Sequence, residues 1–187
     1  MKKYSYRRIK ALDRELHHHK VDEKIIDEIM QDGETIKQSM PGHKKAEWIK
    51  KAMDKMDALL EQEIRNKVRE DCACCITGMR LKSMKEIAAS GMNLKDKIKK
   101  INDIHIFGKS TAMDGKTIHV TFGDPGSKCV CTPKASKEPI SITWCYCCKG
   151  HVHKLMEAAI EKNLKGRVIS SACSGGDTCR FEFVIDQ

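Results

Sequence analysis

The sequence has no long apolar run and few aromatic residues. Its longest apolar stretches fall far short of the roughly 18–20 residues that span a bilayer, and Met1, Lys2 and Lys3 lead into further charged residues, unlike a secretory signal segment. Aromatic residues make up 5% of the chain, and none stands among the lysines of its most basic segment, so no stacking platform for single-stranded nucleic acid is present. We therefore expect a cytoplasmic protein with neither a membrane nor a nucleic acid as its partner.

The composition indicates a folded chain with a densely charged surface. Charged residues make up 33% of the 187 residues and apolar residues 40%, against about 25% charged in an average globular protein. The formal charge is +9, and the excess is sharpest over residues 80–100, where seven basic side chains stand against two acidic ones. We interpret this segment as a solvated helix face. The length suits one domain, or one domain with a helical extension.

The hydrophobic pattern predicts an α+β fold, with a helical N-terminal part followed by an antiparallel sheet with packed helices. Spacings of three and four predict helices over 5–40, 46–68, 80–90, 94–101 and 150–162. Alternation predicts strands over 104–107, 117–122, 140–146, 167–172 and 178–185, with turns at 114–115 and 174–177 and a loop at 123–127. We divide the chain into a helical extension, 1–70, and a cysteine-rich α+β domain, 71–187.

Ten cysteines are the feature that most needs explanation, because cysteine at this density in a reducing cytosol more often binds metal or takes part in catalysis than forms disulfides. Eight of them fall in three clusters: Cys72, Cys74 and Cys75; Cys129 and Cys131; Cys145, Cys147 and Cys148. His151 follows the third cluster closely. Thiolate and imidazole together favour zinc, copper(I) or iron. We predict a metal site, for zinc in the first place, built from these eight cysteines and His151; an iron–sulfur cluster is the less favoured alternative.

Helix geometry limits which of these residues act together. If the predicted helix extends back to Cys148, then Cys148 and His151 are neighbours on one face, whereas Cys147 points elsewhere. Cys145, Cys148 and His151 are then the best local set, and a fourth ligand would come from another cluster. Two other interpretations stay open: the cysteines are small buried hydrophobes, or thiols at the helix start are activated for nucleophilic or redox chemistry.

The last strand and the helix before it offer candidate residues for a ligand or cofactor. Cys179 lies on the core-facing side of the strand, and Met156 lies on the apolar stripe of the helix. We take both as candidate cofactor-binding residues of a pocket between helix and sheet, with packing as the alternative. His17, His18 and His19 lie inside a charged helix, where successive residues point 100° apart, and we assign them to a solvated face.

Two C-terminal segments form a recognisable pattern. The first is Cys145-Tyr146-Cys147-Cys148-x-Gly150-His151, and the second is Ser170-Ser171 followed by Gly175-Gly176-Asp177-x-Cys179-Arg180-Phe181. The pattern resembles a cysteine-rich prokaryotic family of unknown function, which is similar to 4-vinyl-reductase-type ligand-binding domains and more loosely to L-2-amino-thiazoline-4-carboxylate hydrolase. The resemblance covers roughly residues 70–187. It implies an antiparallel sheet with packed helices and a pocket for a hydrophobic ligand, a metal or a small metabolite, and no settled reaction.

These features predict a cytosolic metal-binding domain with a structural or sensory role, and a small molecule as its ligand. The alternative is a hydrolase of a small metabolite, in which a metal activates water or a cysteine near the helix start attacks. A partner-binding module is a third hypothesis, in which the helices of residues 1–70 pair with a second copy of the chain to form a homodimer.

Overall fold

The computed structural model describes residues 3–73, 76–108, 110–122, 129 and 131–186. Within these residues the helices are α1 (Arg7–His18), α2 (Glu23–Ile29), α3 (Gly42–Leu59), α4 (Gln62–Asp71), α5 (Gly78–Ala88), α6 (Leu94–Asp103) and α7 (Tyr146–Ile160). The strands are β1 (Ser110–Asp114), β2 (Thr117–Phe122), β3 (Leu164–Ser170) and β4 (Cys179–Ile185). Helices come first and an antiparallel sheet with packed helices follows, so the predicted α+β fold is confirmed.

The N-terminal helices are shorter than the sequence pattern predicts. The single helix expected over 5–40 is wrong: α1 ends at His18, Lys20 takes a left-handed backbone with φ of 56°, and the Asp22 side chain caps the start of α2. The helix expected over 46–68 is also two helices, because Leu60 is extended between α3 and α4. Apolar spacing continues across both breaks because all these helices face one core, so the pattern does not mark where each ends.

The sheet has the strand order β1-β2-β4-β3, and all neighbouring strands are antiparallel. β1 and β2 form a hairpin whose turn, at the predicted residues 114–115, places Gly115 at a φ of +55°. The sequence pattern predicts β2 but not β1, because it places the preceding strand at 104–107. Across the central pair, Ile118 lies opposite Phe183 and Val120 opposite Phe181. These four side chains are buried, and α7 packs over them. The loop predicted at 123–127 lies outside the described residues.

Two predicted strands are wrong. Residues 104–107 are a turn after α6, because His105 adopts a left-handed φ of 52° and its N–H bonds the carbonyl of Asn102. Residues 140–146 contain a 3₁₀ turn, Ile142–Cys145, that runs directly into α7. The Ser141 hydroxyl accepts the N–H of Thr143 and starts this turn. A capping serine therefore overrides the alternation that suggested a strand.

Helix α7 is the central element of the fold and begins at Tyr146, four residues before the predicted start. One of its faces packs on the sheet and another on α4. Gly150 allows the second contact, because a Cβ at this position would overlap the carbonyl oxygen of Glu70. The helix ends where Glu161 takes a left-handed backbone, with φ of 56°.

Two apolar cores are joined along α7. The first combines the N-terminal helices with Ile140, Trp144, Cys145 and Cys173. The second lies between the sheet and the helices α5, α6 and α7. Residues from both sides of the predicted boundary at residue 70 share the first core; the division into 1–70 and 71–187 stays a prediction, as does a homodimer through the N-terminal helices. In the described part of the chain, no helix has the length and apolar character needed to cross a bilayer.

Candidate functional site

Cysteines from three separate segments converge where the two cores meet. Cys145 and Cys173 belong to the first core and Cys129 packs against it, whereas Cys148 packs against the second. The 3₁₀ turn before α7 positions Cys145, and the first turn of α7 positions Cys148. The backbone N–H of Ile140 bonds the carbonyl of Cys173 at 2.8 Å, which holds the Cys173 segment beside the start of α7.

The five sulfurs follow one another in a row, which we call the sulfur line: Cys148, Cys131, Cys129, Cys173 and Cys145. At one end the Cys131 and Cys148 Sγ atoms are 4.0 Å apart, and at the other the Cys145 and Cys173 Sγ atoms are 3.2 Å apart. Cys129 stands between these pairs, because its thiol interacts with both Cys131 and Cys173. A tetrahedral zinc ion with Zn–S bonds of 2.3 Å holds its sulfurs about 3.8 Å apart. The contacts at both ends of the line are close to this spacing.

Ser171 borders the Cys145 end of the sulfur line. Its buried Oγ lies 2.7 Å from the Cys145 Sγ and 3.6 Å from the Cys173 Sγ. The hydroxyl can therefore donate to one sulfur and accept from another. Together with the two thiols it makes this end of the line polar, although it is enclosed by the first core.

Cys131 is the sulfur most favoured as a thiolate. Hydrogen bonds from the thiols of Cys129 and Cys148, together with the nearby Arg8 guanidinium, hold the pKa of the Cys131 thiol below its usual value. The Arg8 Nη1 atom donates to this sulfur at 3.3 Å. The same contacts raise the pKa of the Cys129 and Cys148 thiols, because each acts as a donor to the Cys131 thiolate.

Two arginines and a tryptophan lie behind the sulfur line. The Arg69 guanidinium stacks 4.0 Å above the ring of Trp144 and donates to the Trp144 carbonyl at 3.2 Å. Arg8 approaches the same ring at 5.9 Å. Arg69 is almost fully buried, so its charge acts across a medium of low dielectric constant. Of the two charges, Arg8 acts on the sulfur line at Cys131, whereas Arg69 acts on the Cys72 thiol.

The structure does not bring all the predicted metal ligands together. Cys129, Cys131, Cys145 and Cys148 lie on the sulfur line, and Cys74 and Cys75 lie outside the described residues. Cys147 points to a different face of α7 and donates to the Cys72 carbonyl at 3.3 Å. Burial raises the pKa of the Cys72 thiol to about 11, which favours the neutral thiol. Cys72 and Cys147 thus form a separate contact.

His151 faces the second core instead of the cysteines. Its Nε2 accepts from Arg80 Nη1 at 3.0 Å, since a guanidinium can only donate, and its ring lies between Phe107 and Phe122. Burial, with a smaller contribution from Arg80, lowers the pKa of His151 to about 4. Its Nδ1 is buried and has no hydrogen-bond partner among the described residues. The role of His151 as a metal ligand stays a prediction.

The candidate ligand residues, Cys179 and Met156, are both buried in the second core. The Cys179 Sγ accepts the backbone N–H of Ala172 at 3.4 Å. Met156 has no exposed surface and packs between α7 and the sheet. Their part in binding a cofactor or ligand stays a prediction.

Sequence reasoning gave no role at this site to Cys173, Ser171 or Arg8. Ser171 belongs to the C-terminal pattern, and Cys173 lies outside the three cysteine clusters. No local pattern links Cys173 or Arg8 to the site, because Cys173 is 28 positions from Cys145 and Arg8 is 123 positions from Cys131. Only the packing of distant elements brings them to the sulfur line.

A sequence profile covers nearly the whole chain. The profile of a family of unknown function, DUF6144, matches residues 5–187. The chain belongs to DUF6144. The match includes the N-terminal helices, with the segment that carries Arg8, as well as the cysteine-rich part. No curated protein and no solved structure matches the chain.

Proposed function

We propose that this DUF6144 protein binds a soft transition-metal ion, zinc in the first place, through sulfurs of the sulfur line. The observation that supports it most is the position of Cys131, whose sulfur contacts Cys148 and Arg8 and interacts with Cys129. Metals bind the thiolate and not the thiol. A thiolate among further thiols is the ligand type that zinc and copper(I) prefer.

The surroundings of the sulfur line suit a negatively charged metal–thiolate centre. A zinc ion with more than two thiolate ligands carries a net negative charge, and hydrogen bonds to the sulfurs stabilise it. Arg8 supplies one such bond to Cys131, and the backbone N–H of Cys131 supplies another to the Cys129 Sγ at 3.4 Å. Packing of small hydrophobic thiols would need no such donors.

Metal binding would draw the sulfurs closer together. Among the described residues, no three cysteine sulfurs lie within 4.8 Å of one another. Cys131 and Cys148 already have the required separation, so an ion at this end needs Cys129 to move towards them and Cys173 to follow as the fourth ligand. The expected role is structural, because the bound ion would join the two cores. Two finer hypotheses belong to the same proposal: a sensory role, and a small-molecule ligand of the kind that the resemblance to vinyl-reductase-type domains implies.

Metal analysis of protein purified anaerobically, without added metal, tests the proposal. We expect the wild type to hold about one equivalent of zinc more than Cys131→Ser and Cys148→Ser hold. Cys72→Ser is the matched control, because Cys72 is a buried cysteine whose contact with Cys147 is separate from the sulfur line. Less than about a tenth of an equivalent of any transition metal in the wild type would overturn the proposal, as would an equal metal content in the wild type and Cys131→Ser. A brown protein with visible absorption would indicate an iron–sulfur cluster instead.

A second candidate function is nucleophilic catalysis by cysteine. The observation that favours it is the lowered pKa of the Cys131 thiol. A thiolate at neutral pH is the reactive form of cysteine, and hydrolysis of a small metabolite is the reaction that the sequence suggests. Alkylation of metal-free protein by iodoacetamide at pH 6, followed by peptide mass analysis, tests it. Preferential modification of Cys131 supports this function, and modification no faster than at Cys72 contradicts it.

A further inference from the structure

A second group of metal-ligating side chains lies at the end of α1, on residues that sequence analysis assigned to a solvated face. Glu15, His18 and His19 place one ligand atom each within 4.8 Å of one another. The spacing i, i+3, i+4 puts the three side chains on one face of the last helical turn. Glu15 is buried, His19 is half-buried and His18 is exposed, so an ion can reach the group through His18.

Asp71 connects this group to α4. Its Oδ2 lies 3.0 Å from the Nε2 of His19, and both side chains are mostly buried. Histidines that bind metals usually donate their other ring N–H to a carboxylate, which fixes the orientation of the ring. With Nε2 held by Asp71, His19 binds an ion through Nδ1; if the ion takes Nε2, Asp71 becomes a fourth ligand. Asp71 contributes in either arrangement.

The position also favours a cation. α1 ends at His18, and the helix dipole favours a positive charge at the C-terminal end of a helix. Two cations compete for the site. Arg14 donates to Glu15 Oε1 through Nε at 2.7 Å and Nη2 at 2.6 Å, and Lys154 Nζ donates to Asp71 Oδ1 at 3.4 Å. The Arg14 side chain is 67% exposed, so it can turn into solvent when an ion binds Glu15.

We propose that Glu15, His18 and His19, supported by Asp71, form a second site for a divalent transition-metal ion such as Zn²⁺ or Co²⁺. Two imidazoles and one carboxylate match a tetrahedral zinc site with one coordination position open to water. The site contains no thiolate among these residues, so it is chemically distinct from the sulfur line. It does not depend on the function proposed for the cysteines.

Cobalt binding to the full chain separates the two sites, because a thiolate-bound Co²⁺ ion shows sulfur-to-metal charge-transfer absorption and an ion held by nitrogen and oxygen does not. We expect one equivalent of Co²⁺ to bind without that absorption, and to bind unchanged in Cys131→Ser. His18→Ala should lose this equivalent. His17→Ala is the matched control, because His17 belongs to the same histidine run but bonds the carbonyl of Asp13 at 2.7 Å.

Two further variants test the residues around the ligands. Asp71→Asn should weaken binding by about 10–100-fold, the usual effect of removing a carboxylate that supports a metal-bound histidine. Arg14→Ala should tighten binding, because it removes the cation that competes for Glu15. The proposal is overturned if His17→Ala and His18→Ala bind Co²⁺ equally well, or if His18→Ala leaves the affinity of the wild type unchanged.

Discussion

The Nη1 atom of Arg8 lies 3.3 Å from the Sγ atom of Cys131, although 123 residues separate them in the sequence. Arg8 belongs to the first helix of the chain, and Cys131 lies before the 3₁₀ turn at Thr132–Ala135. The contact therefore makes the N-terminal helices part of the cysteine site. A chain lacking α1 would retain all ten cysteines and lose the cation that faces Cys131.

We expect Arg8→Gln to raise the pKa of the Cys131 thiol, because it removes a positive charge and a hydrogen bond from the thiolate. The rate of Cys131 alkylation as a function of pH, measured on metal-free protein, reports this pKa. Arg7→Gln is the matched control, because Arg7 is the neighbouring arginine and is exposed to solvent. An unchanged pH profile in Arg8→Gln would show that the thiols of Cys129 and Cys148 alone stabilise the thiolate.

Gly150→Ala should destabilise the protein by about 1–3 kcal/mol, because its Cβ would overlap the carbonyl of Glu70 and force α4 and α7 apart. Alanine favours helix by about 1 kcal/mol relative to glycine, which reduces the loss but does not cancel it. Urea unfolding measures the effect.

Gly78→Ala is the control for this substitution. Gly78 also lies in a helix, and no atom stands within 4 Å of the Cβ that it would acquire. We expect this variant to be neutral or slightly stabilised. Equal effects of the two substitutions would show that the contact between Gly150 and Glu70 does not limit the packing of α7.

The sequence predicts the parts of the fold that depend on local patterns. β2 and β4 follow from alternation, the turn at Gly115 follows from its turn residues, and the face that α7 buries follows from helical spacing. The sequence does not predict the ends of the helices near Lys20 and Leu60, because apolar spacing continues across both breaks.

The sequence names Cys129, Cys131, Cys145 and Cys148 as candidate ligands, but it does not predict which of these sulfurs lie next to one another. Cys145 and Cys148 are three positions apart and favour a common ion, yet they stand at opposite ends of the sulfur line, next to Cys173 and Cys131. The 3₁₀ turn ends at Cys145 and α7 continues from it, so the two side chains leave the backbone in different directions. Helical spacing correctly separated Cys147 from Cys148, but it could not show that Arg80 contacts His151.

Glu70 should stabilise the protein in a manner that depends on pH. Burial raises its pKa, but hydrogen bonds from His153 and Lys149, both at 2.7 Å, outweigh burial and lower the pKa to about 2. A carboxyl group with a lowered pKa contributes stability above its unfolded value of about 4.5, and that contribution is lost as the pH falls towards 2. We expect Glu70→Gln to cost on the order of 2 kcal/mol at pH 7.

Urea unfolding at several pH values tests this prediction. The difference between wild type and Glu70→Gln should shrink between pH 4.5 and pH 2, where the wild-type carboxylate gains a proton. Glu63→Gln, on the exposed side of the same helix, should change little at any pH. A difference that is constant down to pH 2 would mean that Glu70 acts through packing and not through its charge.

His151 should remain neutral in the folded protein well below the pH at which an ordinary histidine, with a pKa of about 6.5, gains a proton. Burial is the main cause of its lowered pKa of about 4, and Arg80 adds a smaller repulsion. The unfolded chain takes up this proton as the pH falls through 6.5, whereas the folded chain does so only near 4. The free energy of unfolding should therefore decrease as the pH falls from 6.5 to 4, and this group should add nothing further to it above pH 6.5.

The chemical shifts of the His151 ring measure its titration directly. Arg80→Met should raise the pKa of His151 only part of the way to the ordinary value, because burial persists. A wild-type ring that titrates above pH 6 would contradict the buried, neutral state that the contacts with Phe107 and Phe122 require.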